Sequence, residues 1–158
     1  MEFVVKINKS FEQGIYVLLM LGLQKDNQAV KSSVMSNILQ VSDSYLKKIL
    51  RKLVLADLIL SNASKDGGFQ LKKPLSQITL YDVYKAIETD VITFKVSDLA
   101  EHVFNDDEHT RQSKKKVVDT IILGINAFSS QLAAVKLSEL LVEENGGYIK
   151  MDWNEKVE

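Results

Sequence analysis

Residues 41–74, VSDSYLKKILRKLVLADLILSNASKDGGFQLKKP, place an amphipathic helix directly before a hairpin. Leu46, Ile49, Leu50, Leu53 and Val54 fall on one helical face. Ser44, Lys47, Lys48, Arg51 and Lys52 lie toward the other, with Tyr45 near the boundary. Ser42 or Asp43 is placed to cap the helix. LILSN is β-prone, SKDGG offers turn chemistry, FQLKK is a second strand, and Pro74 closes the unit. A helix of this length is marginal alone, so its apolar face demands neighbours.

The flanks supply them. Phe11, Ile15, Leu18, Leu19 and Gly22 recur at helical spacing over residues 10–23, with Ser10 as N-cap and Glu12 and Gln13 in the first turn. The polar run QKDNQ ends that helix, and Val30, Val34, Ile38 and Val41 mark a shorter second one. QVSD interrupts it. Thr79 caps LYDVYKAIE, whose Leu80, Val83, Tyr84 and Ile87 share a face. The order helix, helix, turn, helix, hairpin, helix is that of a winged helix-turn-helix.

Residues 89–108 are less regular and end in the acidic cluster NDDE. A long helix follows over residues 109–132, with Val117, Ile121, Ile125, Phe128 and Leu132 as a stripe and Val118 and Ile122 beside it. That is more apolar surface than one neighbour covers, and pairing with a second chain accounts for it economically. VKLSELL is expected as a short final helix, and ENGGYIKMDWNEKVE as a turn and a loosely held tail. The expected architecture is mainly α with a small β-wing. It comprises a winged helix-turn-helix domain over residues 1–88, a linker and dimerisation helices over 89–142, and a C-terminal tail over 143–158.

The chain of 158 residues has one proline, seven glycines and no cysteine. Disulfides, thiolate zinc sites, cysteine nucleophiles and cysteine-held iron–sulfur clusters are thereby excluded. The longest apolar run, IYVLLMLGL, is too short to span a bilayer, and MEFVVKINKS lacks the features of a signal peptide. A cytoplasmic location is expected. Residues 1–88 carry 12 Lys and Arg against 8 Asp and Glu, a balance of +4. Residues 89–158 carry 8 against 13, or −5. A basic first half suits a polyanion. No phosphate-binding glycine loop or nucleophile motif is present, so no enzyme activity and no cofactor are expected.

Taken together, SYLKKILRKL, LILS, GGFQL and ITLYDVYKAIE, in this order and spacing, resemble the Rrf2 family of bacterial transcriptional regulators. The resemblance covers residues 8–89 well and the long helix more loosely. It implies a homodimeric winged-helix repressor or activator that binds a pseudo-palindromic operator in double-stranded DNA. It also implies, for many members, an iron–sulfur cluster held by three cysteines between the fourth helix and the dimerisation helix. No cysteine stands in that segment here, so cluster sensing is not carried over. A wing arginine is likewise replaced by Ala63, leaving Lys65 as the nearby cation, and Asp57 stands where the family has glycine after the third helix.

DNA readers anchor on phosphates with cations and helix ends, and distinguish bases with side chains at the groove floor. The candidate DNA-binding residues are Ser42, Ser44, Tyr45, Lys47, Lys48, Arg51 and Lys65. The candidate dimer interface is the stripe Val117, Ile121, Ile125, Phe128 and Leu132. Two other readings stay open. One is a winged-helix protein-interaction module that no longer reads DNA. The other is a metal-responsive sensor built on His102, Asp106, Asp107, Glu108 and His109, although the irregular spacing there favours a solvated acidic linker. A small ligand, or a protein bound to the acidic half, is open as effector.

Overall fold

The computed structural model describes residues 7–88, 94–105 and 107–156. Three helices begin the fold: α1 (Lys9–Leu23), α2 (Ser32–Leu39) and α3 (Asp43–Leu55). Two strands follow, β1 (Ile59–Asn62) and β2 (Gly68–Leu71), then α4 (Leu80–Ile87), α5 (Leu99–Val103) and α6 (Glu108–Ala133). Three-residue 3-10 turns lie at Lys25–Asn27 and Leu75–Gln77, and a four-residue one at Leu137–Leu140.

α3 sits at the centre because its apolar stripe is complete. Leu46, Ile49, Leu50 and Leu53 are buried against Val17, Leu18 and Leu21 of α1, Met35 of α2 and Val83 and Ile87 of α4 within one core. Burial of each such side chain contributes about 1.5–3 kcal/mol. Val54 packs only partly against this core.

The turn between α2 and α3 carries no glycine. Gln40 adopts a left-handed conformation (φ 54°), and its N–H donates to Asn37 and Ser36, while Val41 donates to Ser36 at 3.0 Å. These bonds satisfy the last carbonyls of α2 and turn the chain sharply into α3. Asp57 (φ 63°) does the same job after α3. This explains why glycine suits that position, and here Lys72 pairs with the Asp57 carboxylate instead.

The hairpin is antiparallel, with Ile59 opposite Leu71 and Asn62 opposite Gly68. Val30 is not helical, as its spacing had predicted; it exchanges backbone hydrogen bonds with Phe69 at 2.9 Å in both directions. The wing is thereby fastened to the start of α2. A Cβ on Gly68 (φ 150°) would lie 2.5 Å from the Val30 carbonyl oxygen, and one on Gly67 would lie 2.0 Å from that of Asn62.

Thr79 and Asp82 form a reciprocal capping box that starts α4. Beyond α6 the chain returns beneath α4: Leu80 donates to Val135 and Leu137 to Ile78, with Leu137 fully buried. The short helix expected at residues 135–141 is thus a 3-10 turn. The loosely held tail is overturned, because Trp153 is buried and its indole Nε1 donates to the Met20 carbonyl at 2.7 Å.

Gly68→Ala is expected to cost about 1–3 kcal/mol through backbone strain and the clash with Val30. Thermal unfolding measures it, and an unchanged Tm would contradict the fastening of the wing.

Candidate nucleic-acid interface

With its apolar stripe locked inward, α3 presents the opposite face to solvent. Ser42, Ser44, Tyr45, Lys47, Lys48 and Arg51 are all exposed, and Lys65 is exposed at the tip of the hairpin. The seven residues differ in how free they are. Lys48, Arg51 and Lys65 have no side-chain partner among the described residues. Lys47 is paired with Asp43 at 2.7 Å, one turn earlier on the same helix. Ser42 occupies the N-cap position without capping through its side chain; its hydroxyl instead shares a hydrogen bond of 2.9 Å with that of Ser44.

Tyr45 is tied back to the body of the domain. Its hydroxyl shares a short hydrogen bond with Ser10 Oγ at the start of α1. Ser10 in turn hydrogen-bonds Asn8, which is the true N-cap of α1 in place of the expected Ser10. Lys52 is also not a free cation. Its ammonium donates to the Ile87 carbonyl at 2.7 Å, at the end of α4, where a positive charge meets the negative end of the helix dipole.

Ion pairs bracket α3. Lys47 donating to Asp43, with Ser32 adding a second hydrogen bond, holds the Asp43 carboxyl below its ordinary value. Lys72 does the same to Asp57 just past the helix end.

The long helix α6 carries the expected stripe at varying depth. Ile121, Ile125, Phe128 and Leu132 are half-buried, and the Phe128 ring meets Tyr84 of α4 edge-on, 5.4 Å between centroids. Phe128 of the stripe therefore meets its own domain. On α6 the large apolar residues left exposed are Val117, Ile122 and Leu123, the last 69 % exposed. Leu123 was missed because it lies two residues from both Ile121 and Ile125, off the face of the stripe.

The histidine–acid patch is not assembled as a metal site among the described residues, and Asp106 lies outside them. Asp107 caps α6 by accepting from Thr110 N–H at 2.8 Å. Glu108 accepts from Arg111 and Gln112. Among the described residues, no helix is long and apolar enough to cross a membrane.

A family model described as Rrf2, iron-dependent transcriptional regulator, matches residues 7–143. YwgB of Bacillus subtilis (strain 168), a candidate HTH-type transcriptional regulator, is 41% identical over 105 residues, which is 66% of this chain and 67% of that protein. YffB of Lactococcus lactis subsp. lactis (strain IL1403), named in the same way, is 45% identical over 84 residues, 53% of this chain. The chain spans only about half the length of this lactococcal relative, 54% of it. Among solved structures, CymR (YrzC), the global cysteine regulator of B. subtilis, superimposes with a TM-score of 0.63 at 19% identity, covering 87% of this chain and 96% of that one. At that identity the likeness establishes the fold.

The iron of the family description finds no thiolate donor here. The chain has no cysteine, and a thiolate-held cluster does not fit it.

A sign follows for the two ion pairs at the ends of α3. Their depressed carboxyls contribute stability that is present above about pH 4, the ordinary range for aspartate, and is lost as pH falls through the lower folded values. Tm measured from pH 6 down to pH 2 should fall less steeply in Asp43→Asn with Asp57→Asn than in the parent. Identical slopes would contradict these pairings.

Proposed function

The chain belongs to the Rrf2 family, and on that premise we propose that it is a homodimeric, DNA-binding transcriptional regulator that works without an iron–sulfur cluster. The observation that carries the reading is the two-sidedness of α3, fully buried along one stripe and exposed along the face that bears Ser44, Lys48 and Arg51. Arg51 is the residue for base or two-pronged phosphate contact. Lys48 and Lys65 are point charges for phosphates on either side. Ser42 and Ser44, at the leading end of the helix, offer hydroxyls to base edges or phosphates. Tyr45 acts mainly by holding the helix end to α1, and Lys47 reaches DNA only by leaving Asp43.

Two copies joined through α6 would set two such helices on half-sites about one helical turn apart. Blocking a promoter is the mode of action proposed. The winged domain is assigned to residues 1–88 and the linker with the dimerisation helices to 89–142; residues 1–6, 89–93, 106 and 157–158 lie outside the described ones, and the tail expected over 143–158 is bonded to α1 instead.

A specific observation favours a second reading. Lys47, Ser42, Ser44 and Tyr45 all have partners within the chain, and Ala63 leaves the wing with Lys65 alone. A winged helix so engaged could instead hold a protein.

Arg51→Ala should weaken operator binding by about 1–3 kcal/mol and leave Tm unchanged. Lys52→Met should do the opposite, lowering stability by about 1 kcal/mol and leaving affinity intact. DNA titrations with both variants check the pair, and equal affinity loss would displace the assigned reading face. Leu123→Glu should dissociate the dimer in sedimentation experiments without lowering helical content. A dimeric Leu123→Glu protein would move the interface away from this face of α6.

A further inference from the structure

Residues 144–156 lie beyond the segment matched by the family model, yet they are bonded closely to the start of the fold. The last carbonyls of a helix have no partner within it. At the end of α1 the closing segment supplies partners to Gly22 and Leu23, and a second one to Met20, whose carbonyl also accepts from Gln24 N–H at 3.0 Å. Met151 N–H donates to Leu23 at 2.9 Å, Lys150 Nζ to Gly22 at 2.7 Å, and Trp153 Nε1 to Met20 at 2.7 Å. In return Lys25 N–H donates to the Met151 carbonyl at 2.8 Å.

Gln24 is the hinge of this contact. It is only 1% exposed, and both ends of its amide are matched by the closing segment. Its Oε1 accepts from Trp153 N–H at 3.0 Å and its Nε2 donates to Asp152 at 3.1 Å. Asn154 Nδ2 then reaches the Ala29 carbonyl at 3.2 Å. The next residue, Val30, is the one whose backbone holds Phe69 of the wing, and α2 begins two residues later. Contacts thus run from the closing segment through Ala29 and Val30, the latter two residues of chain before α2, to Phe69 of the wing.

We propose that this segment is a strap belonging to the DNA-reading head, in which Trp153 and Gln24 are positioning residues that keep α2 and the wing in register for DNA. Its functional consequence rests on the regulator reading above; its geometry does not. A segment that only added stability would lower protection everywhere when cut loose. A strap lowers it at the connection it holds.

The test uses the full chain with Trp153→Ala, and with Trp153→Phe, which keeps a ring and removes the Nε1 donor. Amide hydrogen exchange, sedimentation and titration with a DNA fragment selected by the parent protein are the readouts. In Trp153→Ala, exchange at Lys25, Val30 and Phe69 should rise about tenfold while that of Glu88, at the end of α4, stays unchanged. The dimer should persist, operator affinity should fall about five- to tenfold, and Trp153→Phe should recover most of it. Parent-like affinity in Trp153→Ala, or a uniform rise in exchange, would overturn the proposal. If Trp153→Ala does not fold, the milder Trp153→Phe decides: a smaller loss at the same amides and in affinity supports the strap, and no change refutes it. If the parent prefers no fragment over a scrambled one, the regulator reading fails. Exchange alone then judges the strap, with local loss supporting it and unchanged protection overturning it.

Discussion

Everything in this molecule depends on the burial of Leu46, Ile49, Leu50 and Leu53. Those four side chains fix α3 in rotation as well as in place, because a helix locked along one stripe has no freedom to roll. Its polar face, with Lys48 and Arg51, is therefore presented at a set angle. The hairpin is hung from the same helix, and Val30 secures it from the other side. Phosphate contacts need cations, but a register on DNA needs cations held in fixed positions. Core packing provides that here.

Much of this was legible in the sequence, for identifiable reasons. α3 was readable because its apolar positions follow helical spacing without a break, and α4 because Thr79 and Asp82 make a local cap. The wing was readable from two β-prone runs around Gly67 and Gly68. What was not legible depends on long-range contact. Val30 has the spacing of a helical residue but pairs with Phe69, thirty-nine positions later in the chain. QVSD announced the break after α2, but the left-handed Gln40 that makes the turn gave no glycine signal. Lys52 has the look of one more surface cation, yet it caps α4. The closing segment has no periodicity at all, since its bonds are irregular and go to α1 carbonyls, Gln24, Lys25 and Ala29 in turn.

The candidate interfaces divide along the same line. Exposure of Arg51 and Lys48 followed from the amphipathic pattern alone. The engagement of Tyr45 by Ser10 and of Lys47 by Asp43 did not, and it narrows the reading face to fewer free groups. On α6, Phe128 of the expected stripe meets Tyr84 of its own domain, while Val117 of that stripe stays exposed beside Ile122 and Leu123. With no cysteine, the chain has no thiolate to hold the iron–sulfur cluster that many members of its family carry.

The most direct test is selection of bound fragments from genomic DNA by the purified protein, followed by titration of the best fragment and a scrambled version at two salt concentrations. The account predicts one pseudo-palindromic motif, with half-sites about one helical turn apart, that stays far tighter than the scramble at the higher salt. Equal binding to both fragments, vanishing as salt rises, would contradict it and leave a winged helix whose partner is a protein.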